Sequence, residues 1–505
     1  MADLALSQVA HRCVTNLSKS EYRRLIIGVQ LIKDPVILLL DEPTWDLDPL
    51  STYLVISILS NAAKKYGTAI VLTMEKPRSD VFPFLDRVVY LCLGDVVYAG
   101  PTRNLLDYFG SIGFPCPQLE NPLMYYLCLS TVDRRSRERF IESNHQIAAL
   151  VEKFRLEGQG IMQGHMGEHS RIVNPNRAYG KPGGFHVLWL LYVRMLASIF
   201  NLKKNGLKQM CMRLFMLPLY FFILWIFYNE AKNYQRAFIT KSGLIFNAMV
   251  GTYFISIMNT ICLFGPYRTR YYQESQEGLY SGASLLLSWN LVSLPFSCIS
   301  AFASAAIVYP ILGDISEPLD YAFFALALWS CCIYAEQQAI AVMMIVKTGM
   351  VAAVVNVYIT CVYIMLASGV LRSYRGYEDW LYYLTYITHT RYTSIFLHRN
   401  IFKQPTFNVM PYSEQENCTS ITSLIQTSSS LNTNSNANCR YATGKAFLTE
   451  RFTAKNFVGD IYTAGDFNME FNLGISFAFS VGIMVLNKFL YLLPLPGYIT
   501  DKFRE

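Results

Sequence analysis

The sequence predicts a multi-domain membrane protein, in which an α/β cytosolic part is followed by an all-α membrane part with six helices. Of its 505 residues, 52% are hydrophobic and only 16% are charged, and the mean hydropathy is +0.25. Soluble domains usually carry about 25% charged residues, so the polar surface of a soluble protein is missing. Charged residues are dense over the first 180 residues and sparse in long stretches after residue 205. This division excludes a single soluble enzyme, a disordered chain and a secreted disulfide scaffold.

Six apolar runs are long enough to cross a bilayer, which needs about 20 residues. They cover residues 208–228, 242–264, 285–309, 320–345, 349–371 and 471–493. Basic residues flanking these runs predict that both termini are cytosolic. We therefore expect an integral multi-pass protein, with the plasma membrane favoured over an internal compartment. The net charge of +7 is modest, and we expect no nucleic-acid partner.

The polar stretch before the last run predicts an extracytosolic loop. Among the 12 cysteines, only Cys418 and Cys439 lie in this stretch, where an oxidising compartment would allow a disulfide between them. Asn417 begins an Asn-Cys-Thr glycosylation acceptor in the same stretch. The position of this tripeptide predicts a glycosylated loop.

Three polar residues interrupt the apolar runs. Arg213 lies near the start of the first run, Asn259 late in the second and Glu336 about two-thirds along the fourth. Because charges inside a membrane are costly, such residues suggest function, here a polar network between helices that moves during transport. The alternatives are that Arg213 extends to the interface and that the amides join helices by hydrogen bonds.

The N-terminal part contains a run of apolar residues, Val36–Leu40, that is typical of a buried parallel strand. Asp41 and Glu42 follow it directly. In a nucleotide site, Asp41 would bind Mg²⁺ and Glu42 would be the general base for attack on the γ-phosphate. The alternative is a plain acidic turn, after which Asp46 and Asp48 cap the next helix.

A second motif lies upstream, at Leu17–Arg24. Ser18 and Glu21 have the spacing of a helix capping box. The alternative is that the N–H groups at this helix start bind a phosphate.

The order of four segments, Leu17–Glu21, Val36–Glu42, Leu47–Asp48 and Thr73–Arg78, resembles the second half of an ATP-binding cassette (ABC): signature, Walker B, D-loop and switch. A cassette followed by six spans resembles the half-transporters of ABC subfamily G. Within that subfamily the chain is most similar to the sterolins, and among them to the partner whose own signature is degenerate.

The resemblance implies three parts. Residues 1–133 would be the C-terminal part of a nucleotide-binding domain, 134–205 a linker with a connecting helix, and 206–505 a six-span membrane domain with an extracytosolic loop at about 372–470. It also implies a heterodimer with a second subfamily G half-transporter, and ATP-driven export of a sterol or related lipid. A pigment precursor or another apolar metabolite stays open as cargo.

The resemblance also assigns site residues, with ATP and Mg²⁺ as cofactors. Asp41 would bind the Mg²⁺, and the catalytic positions would be Glu42 and the switch residue Glu75. The nucleotide-binding positions would be Ser18, Lys19, Ser20, Glu21, Asp41 and Asp48. A coupling segment between spans two and three would transmit cassette motion through Gln273, Glu274, Glu277 and Gly278.

The departures from the family pattern concern the phosphate-binding motifs. The sequence contains no Gly-x-x-x-x-Gly-Lys-Ser/Thr loop, whose N–H groups and lysine hold phosphates. Lys19 and Ser20 replace the two glycines of the signature, and Glu75 replaces the switch histidine. We therefore expect an N-terminally truncated copy of a longer transporter that has no ATPase activity alone. The alternative is a regulatory or dominant-negative subunit that dimerises without hydrolysing ATP.

Overall fold

The computed structural model describes most of the chain. The described residues are 2–163, 183–200, 204–228, 237–276, 278–312, 318–346, 348–402, 444–455, 457, 461 and 465–492. They fall into two compact units, Met1–Lys181 and Pro182–Glu505. Asn417, Cys418, Cys439 and Glu277 lie outside the described residues.

The first unit contains five α-helices and four strands among the described residues. In chain order they are α1 (Lys19–Leu31), β1 (Ile37–Leu40), α2 (Pro49–Tyr66), β2 (Ala69–Leu72), β3 (Arg87–Cys92), β4 (Asp95–Pro101), α3 (Leu105–Ser111), α4 (Pro122–Leu129) and α5 (Arg137–Gln163). Strands β1 and β2 pair in parallel, with Ile37 opposite Ala69, and β3 and β4 form an antiparallel hairpin. The predicted strand at Val36–Leu40 is therefore present.

Local signals position helix α2 after strand β1. Asp48 is its N-cap and accepts a hydrogen bond from the Ser51 amide at 3.1 Å, and Pro49 occupies the first turn, where no backbone N–H is needed. Gly67 ends the helix with φ +69°, a left-handed conformation that favours glycine. Helix α2 packs against one face of the β1–β2 sheet. The small core between them includes Leu38, Val55 and Leu59.

The second unit is helical throughout its described residues. Its elements are α6 (Gly184–Phe200), α7 (Lys204–Leu214), α8 (Met216–Tyr228), α9 (Ala237–Gln276), α10 (Gly282–Leu312), α11 (Pro318–Ile345), α12 (Gly349–Ala367), α13 (Asp379–Thr385), α14 (His389–Ile401), α15 (Gly444–Phe452) and α16 (Met469–Leu492). Helices α9, α10, α11 and α16 pack around one continuous core.

Five of these helices, α9 to α12 and α16, are long and apolar enough to cross a membrane. The predicted run 208–228 coincides with a sixth candidate, the pair Gly206–Leu214 and Met216–Tyr228, which is bent by 42°. The bend has a local cause, because Pro218 lacks an N–H and its ring would clash with the carbonyl four residues earlier, at Leu214. The chain is thus an integral multi-pass membrane protein with five or six apolar helices.

Close helix packing at Gly251 leads to a test of the membrane core. A methyl group on this residue of α9 would overlap the ring of Tyr220, whose hydroxyl is held by the Asn247 carbonyl at 3.1 Å. We expect Gly251→Ala to lower the thermal stability of the full chain, since overpacking costs about 1–3 kcal/mol. The measurement is the melting temperature of detergent-solubilised protein by fluorescence-detected size exclusion.

The matched control is Gly474→Ala on α16, where no neighbouring atom lies within 4 Å. Alanine favours the helix over glycine by up to about 1 kcal/mol, so this variant should melt at the same temperature or higher. A Gly251→Ala protein as stable as the Gly474→Ala protein would contradict the packing described here.

Candidate functional site

The parallel pairing of β1 and β2 brings Asp41, Glu42 and Thr73 together, because parallel strands end at the same sheet edge. Thr73 Oγ1 donates to Asp41 Oδ1 at 2.7 Å and accepts from the Glu42 amide at 2.9 Å. Glu42 has φ +41°, which is uncommon for a residue with a side chain. Thr73 thus connects both acidic residues to the switch segment. Mg²⁺ in nucleotide sites takes one or two carboxylates and completes its shell with water and phosphate oxygens, so Asp41 suits that role.

The predicted signature residues, Ser18 to Glu21, form the N-terminus of helix α1. Ser18 Oγ accepts from the Glu21 amide at 3.2 Å, and the Ser18 amide donates to Glu21 Oε2 at 2.8 Å, so this pair forms the capping box that its spacing predicts. The Ser18 hydrogen bonds also lower the pKa of Glu21. Lys19 forms an ion pair with Asp46, and its hydrogen bond lowers the pKa of Asp46. Ser20 lies in the first turn of α1.

Glu75 lies in an exposed loop, Thr73–Arg78, that is held near both ends. Thr73 holds one end, as described. At the other end Asn121 Nδ2 donates to the Pro77 carbonyl at 2.7 Å, while Asn121 Oδ1 accepts from the Leu123 amide and caps α4. The loop therefore presents Glu75 to solvent. Within the described residues, no group of three or more His, Cys, Asp or Glu side chains could hold a metal ion.

The membrane residues Arg213 and Glu336 lie on two sides of Trp289. Trp289 Nε1 and Ser293 Oγ both donate to Glu336 Oε1 at 2.5 Å. The guanidinium of Arg213 lies 4.6 Å from the centre of the Trp289 ring, within the range of a cation–π contact. Asn259 Nδ2 donates to the Met212 carbonyl at 2.9 Å and joins α9 to α7. The structure thus brings the predicted polar residues to one cavity of about 60 Å³, which all three line.

The segment after the second span is braced against helix α6. Arg194 donates to both oxygens of Glu274, at 2.8 and 3.0 Å, and Tyr280 donates to the same carboxylate at 2.5 Å. Gln273 lies in the last turns of α9, and Gly278 follows the helix with φ +69°. Burial raises the pKa of Glu274, but the hydrogen bonds from Arg194 and Tyr280 outweigh it and the pKa is lowered.

The relatives of the chain agree with a membrane transporter. Residues 186–402 match the ABC-2 type transporter family. ATP-binding cassette sub-family G member 5 of Homo sapiens is 28% identical over 413 residues, which cover 80% of this chain and 63% of that protein. Sub-family G member 8 of Homo sapiens is 31% identical over 329 residues, covering 59% and 47%. These matches support an ABC subfamily G half-transporter.

A third relative matches a larger share of this chain. A broad substrate specificity ATP-binding cassette transporter of Bos taurus is 25% identical over 475 residues, which cover 89% of this chain and 68% of that protein. The chain spans 61% to 63% of the length of the sub-family G member 5 proteins of three mammals. The sequence similarity therefore reaches beyond the ABC-2 domain.

The sequence did not reveal the roles of two residues that the structure brings to the predicted sites. Thr73 was part of the predicted switch, but its bonds to Asp41 and Glu42 depend on pairing between strands 32 residues apart. The sequence contains one indication that Arg194 is important, because it is the only Lys, Arg, Asp or Glu in the apolar helix α6. Its partner Glu274 lies 80 residues further along the chain.

The Arg194–Glu274 ion pair leads to a charge-exchange test. We expect Arg194→Glu or Glu274→Arg alone to lower the stability of the full chain by roughly 1–3 kcal/mol, because each leaves two like charges facing each other. The double variant should recover part of this loss. Because the pKa of Glu274 is lowered on folding, this contribution is present at neutral pH and is lost as the pH falls through that pKa. Thermal melting of each variant measures the effect.

The control is Arg270→Gln, on the same helix one turn before Glu274. Arg270 is exposed and forms no ion pair within the described residues, and it is the smallest cause of the lowered pKa of Glu274. Its neutralisation should therefore change the melting temperature little, and equal effects of Arg270→Gln and Arg194→Glu would refute the brace.

Proposed function

We propose that the chain is one subunit of a heterodimeric, ATP-driven subfamily G exporter of a sterol or related lipid. The observation that carries this proposal is the presence, in one chain, of an ABC-2 type membrane domain and a pair of carboxylates at a parallel strand end. The second subunit would be another subfamily G half-transporter. The similarity to sub-family G members 5 and 8 supports such a partner.

In the proposed nucleotide site, ATP would lie between the phosphate loop of one cassette and the signature of the other. When bound, ATP would supply the free energy of its hydrolysis and Mg²⁺ would neutralise charge on the phosphates. Asp41 would hold the metal ion, Glu42 would take a proton from the attacking water, and Thr73 would fix both in position. Asp48 and the signature residues Ser18 to Glu21 would face the second nucleotide.

The exposed face of the β1–β2 sheet supports the proposal that the α/β domain is larger than the described unit. Ile37, Leu39 and Val71 point away from α2 and are exposed by 60%, 73% and 57%. Parallel sheets are normally covered on both faces. We propose that further polypeptide covers this face and completes an ABC nucleotide-binding domain, as expected for a truncated copy of a longer transporter.

Transport would proceed by alternating access of a cavity between the two membrane domains. Motion of the cassettes would reach the spans through the coupling segment, Gln273 to Tyr280. The Arg194–Glu274 ion pair supports this role, because it makes α6 and the end of α9 move together. The sterol assignment comes from the resemblance to sterolins, and a pigment precursor or another apolar metabolite is the alternative cargo.

A second candidate function is a regulatory subunit that dimerises without hydrolysing ATP. Two observations favour it. Lys19 adds a side chain, tied to Asp46, where the family has a glycine. Glu75 would repel the γ-phosphate at the position where the family has a histidine that donates to it. Both positions would weaken nucleotide binding by the cassette.

ATPase measurements on the purified full chain test the nucleotide proposal. We expect no ATP turnover by this chain without a partner, because it contains no phosphate loop with its lysine. The assay is phosphate release in lipid nanodiscs, with Glu42→Gln as the control for contaminating activity. Turnover by the partner-free protein that Glu42→Gln abolishes would contradict this prediction.

Sterol release distinguishes the exporter from the regulatory subunit. The native complex, isolated through a tag on this chain, is reconstituted with its co-purifying subunit, and release of cholesterol is followed. For the exporter, Glu42→Gln should reduce release at least tenfold, an effect equivalent to about 1.4 kcal/mol. Release that is unchanged by Glu42→Gln supports the regulatory function.

Glycosidase treatment tests the proposed topology. We expect Asn417 to carry a glycan, since the acceptor tripeptide would lie in an extracytosolic loop. The native protein should therefore move faster on a gel after treatment, and Asn417→Gln should migrate like the treated protein. Unchanged mobility of the native protein would argue against an extracytosolic position.

A further inference from the structure

The cavity lined by Arg213 and Glu336 contains two buried charges that do not touch. Arg213 is only 9% exposed and Glu336 only 6%, yet they form no ion pair within the described part of the chain. An unpaired buried charge is costly. Trp289 lies between them and contacts both, through its ring face and its Nε1. Both charged side chains also line the cavity.

Each charge has a free hydrogen-bonding position. Arg213 lines the cavity, and its guanidinium donates no hydrogen bond to any residue that the structure describes. Both donors to Glu336 reach Oε1, and no described residue donates to Oε2. The cavity therefore offers an N–H donor on one wall and a carboxylate acceptor on another.

These two positions select the chemistry of an occupant. A cation would be repelled by Arg213, and an anion by Glu336. A neutral hydroxyl oxygen satisfies both, because it accepts from the guanidinium and donates to the carboxylate. The volume of about 60 Å³ exceeds the roughly 10–15 Å³ that a cavity needs to hold one water molecule.

The cavity is not sealed from the surface of the helices. Its floor is formed by buried residues, among them Arg213, Trp289, Ser293 and Glu336. Ile255 and Asn259 of α9 and Phe296 and Ser297 of α10 line the other side and are partly exposed. A hydroxyl group can therefore enter from water or at the end of an amphipathic lipid.

We propose that the cavity between α7, α8, α9, α10 and α11 is a binding site for neutral hydroxyl groups, which accept from Arg213 and donate to Glu336. Water and the alcohol group of an amphipathic lipid share this chemistry. Occupation by water does not depend on the proposed export function, whereas occupation by a lipid alcohol rests on it.

X-ray radiolytic labelling of the full chain in nanodiscs tests this site, because water held in a protein interior produces hydroxyl radicals where it is bound. Two adjacent cysteines of α11 give a matched comparison. Cys332 lines the cavity, whereas Cys331 does not, and they are 4% and 0% exposed. Cys332 should be oxidised several-fold faster than Cys331. Equal rates in every lipid mixture would overturn the proposal.

The lipid mixture separates the two sources of the hydroxyl. Nanodiscs are prepared without sterol, with cholesterol, or with its 3-deoxy analogue cholestane. If cholesterol slows oxidation of Cys332 and cholestane does not, a lipid alcohol enters the site. If neither changes the rate, water is the occupant. The labelling needs neither ATP nor a partner, so the comparison of Cys332 with Cys331 tests the site even if the export function fails.

Arg213→Leu removes one wall of the site. This variant should slow oxidation of Cys332 to the rate of Cys331, whereas an unchanged rate would refute the role of Arg213. The control is Arg372→Leu, which removes another arginine that lies over an aromatic ring, 5.3 Å from the centre of Tyr377. If Arg213→Leu fails to fold, the oxidation rates of Cys332 and Cys331 in the unmodified chain still test whether the site is occupied.

Discussion

The membrane unit depends on a constraint that lipid imposes, since every polar group buried in the bilayer must find its partner inside the protein. Helix α11 meets this constraint with three consecutive residues, Glu336, Gln337 and Gln338. Successive residues of a helix point about 100° apart. Between them the three residues reach three neighbouring helices, and each of these helices must supply a matching polar group at the same depth in the membrane.

The partners of these three residues set the positions of three helices around α11. Glu336 accepts from Trp289 and Ser293 of α10. The other contacts are Gln337 Nε2 to Asn290 Oδ1 at 2.9 Å, Asn487 Nδ2 of α16 to the Gln337 carbonyl at 2.8 Å, and Gln338 Nε2 to Thr360 Oγ1 of α12 at 3.1 Å. Apolar packing alone allows helices to slide along each other. These contacts fix their register.

Features that depend on neighbouring residues could be predicted from the sequence, whereas those that depend on tertiary contacts could not. Hydropathy located the spans because a membrane helix needs a continuous apolar run, and the Ser18–Glu21 capping box needs only a spacing of three. The hydrogen-bond partners of Glu336, Trp289 and Ser293, were not predictable from the sequence. Arg213 does not contact Glu336 directly, since Trp289 lies between them. The nucleotide-binding positions stay predictions, because they depend on the order of motifs along the chain.

The same distinction explains why the first unit, Met1–Lys181, is compatible with both proposed functions. Thr73 holds Asp41 and Glu42 at the strand end, as a hydrolytic site requires, while Lys19 and Glu75 place a tethered cation and a free carboxylate where phosphate would bind. A hydrolytic cassette needs both sets of positions, because the carboxylates act on a nucleotide that other motifs must first hold. Strand-end geometry alone therefore favours neither function, and the choice depends on whether the proposed cover of Ile37, Leu39 and Val71 contains a phosphate loop. With such a loop, Asp41 and Glu42 would face a nucleotide, and without it their hydrogen bonds to Thr73 would serve only to join β1 to β2.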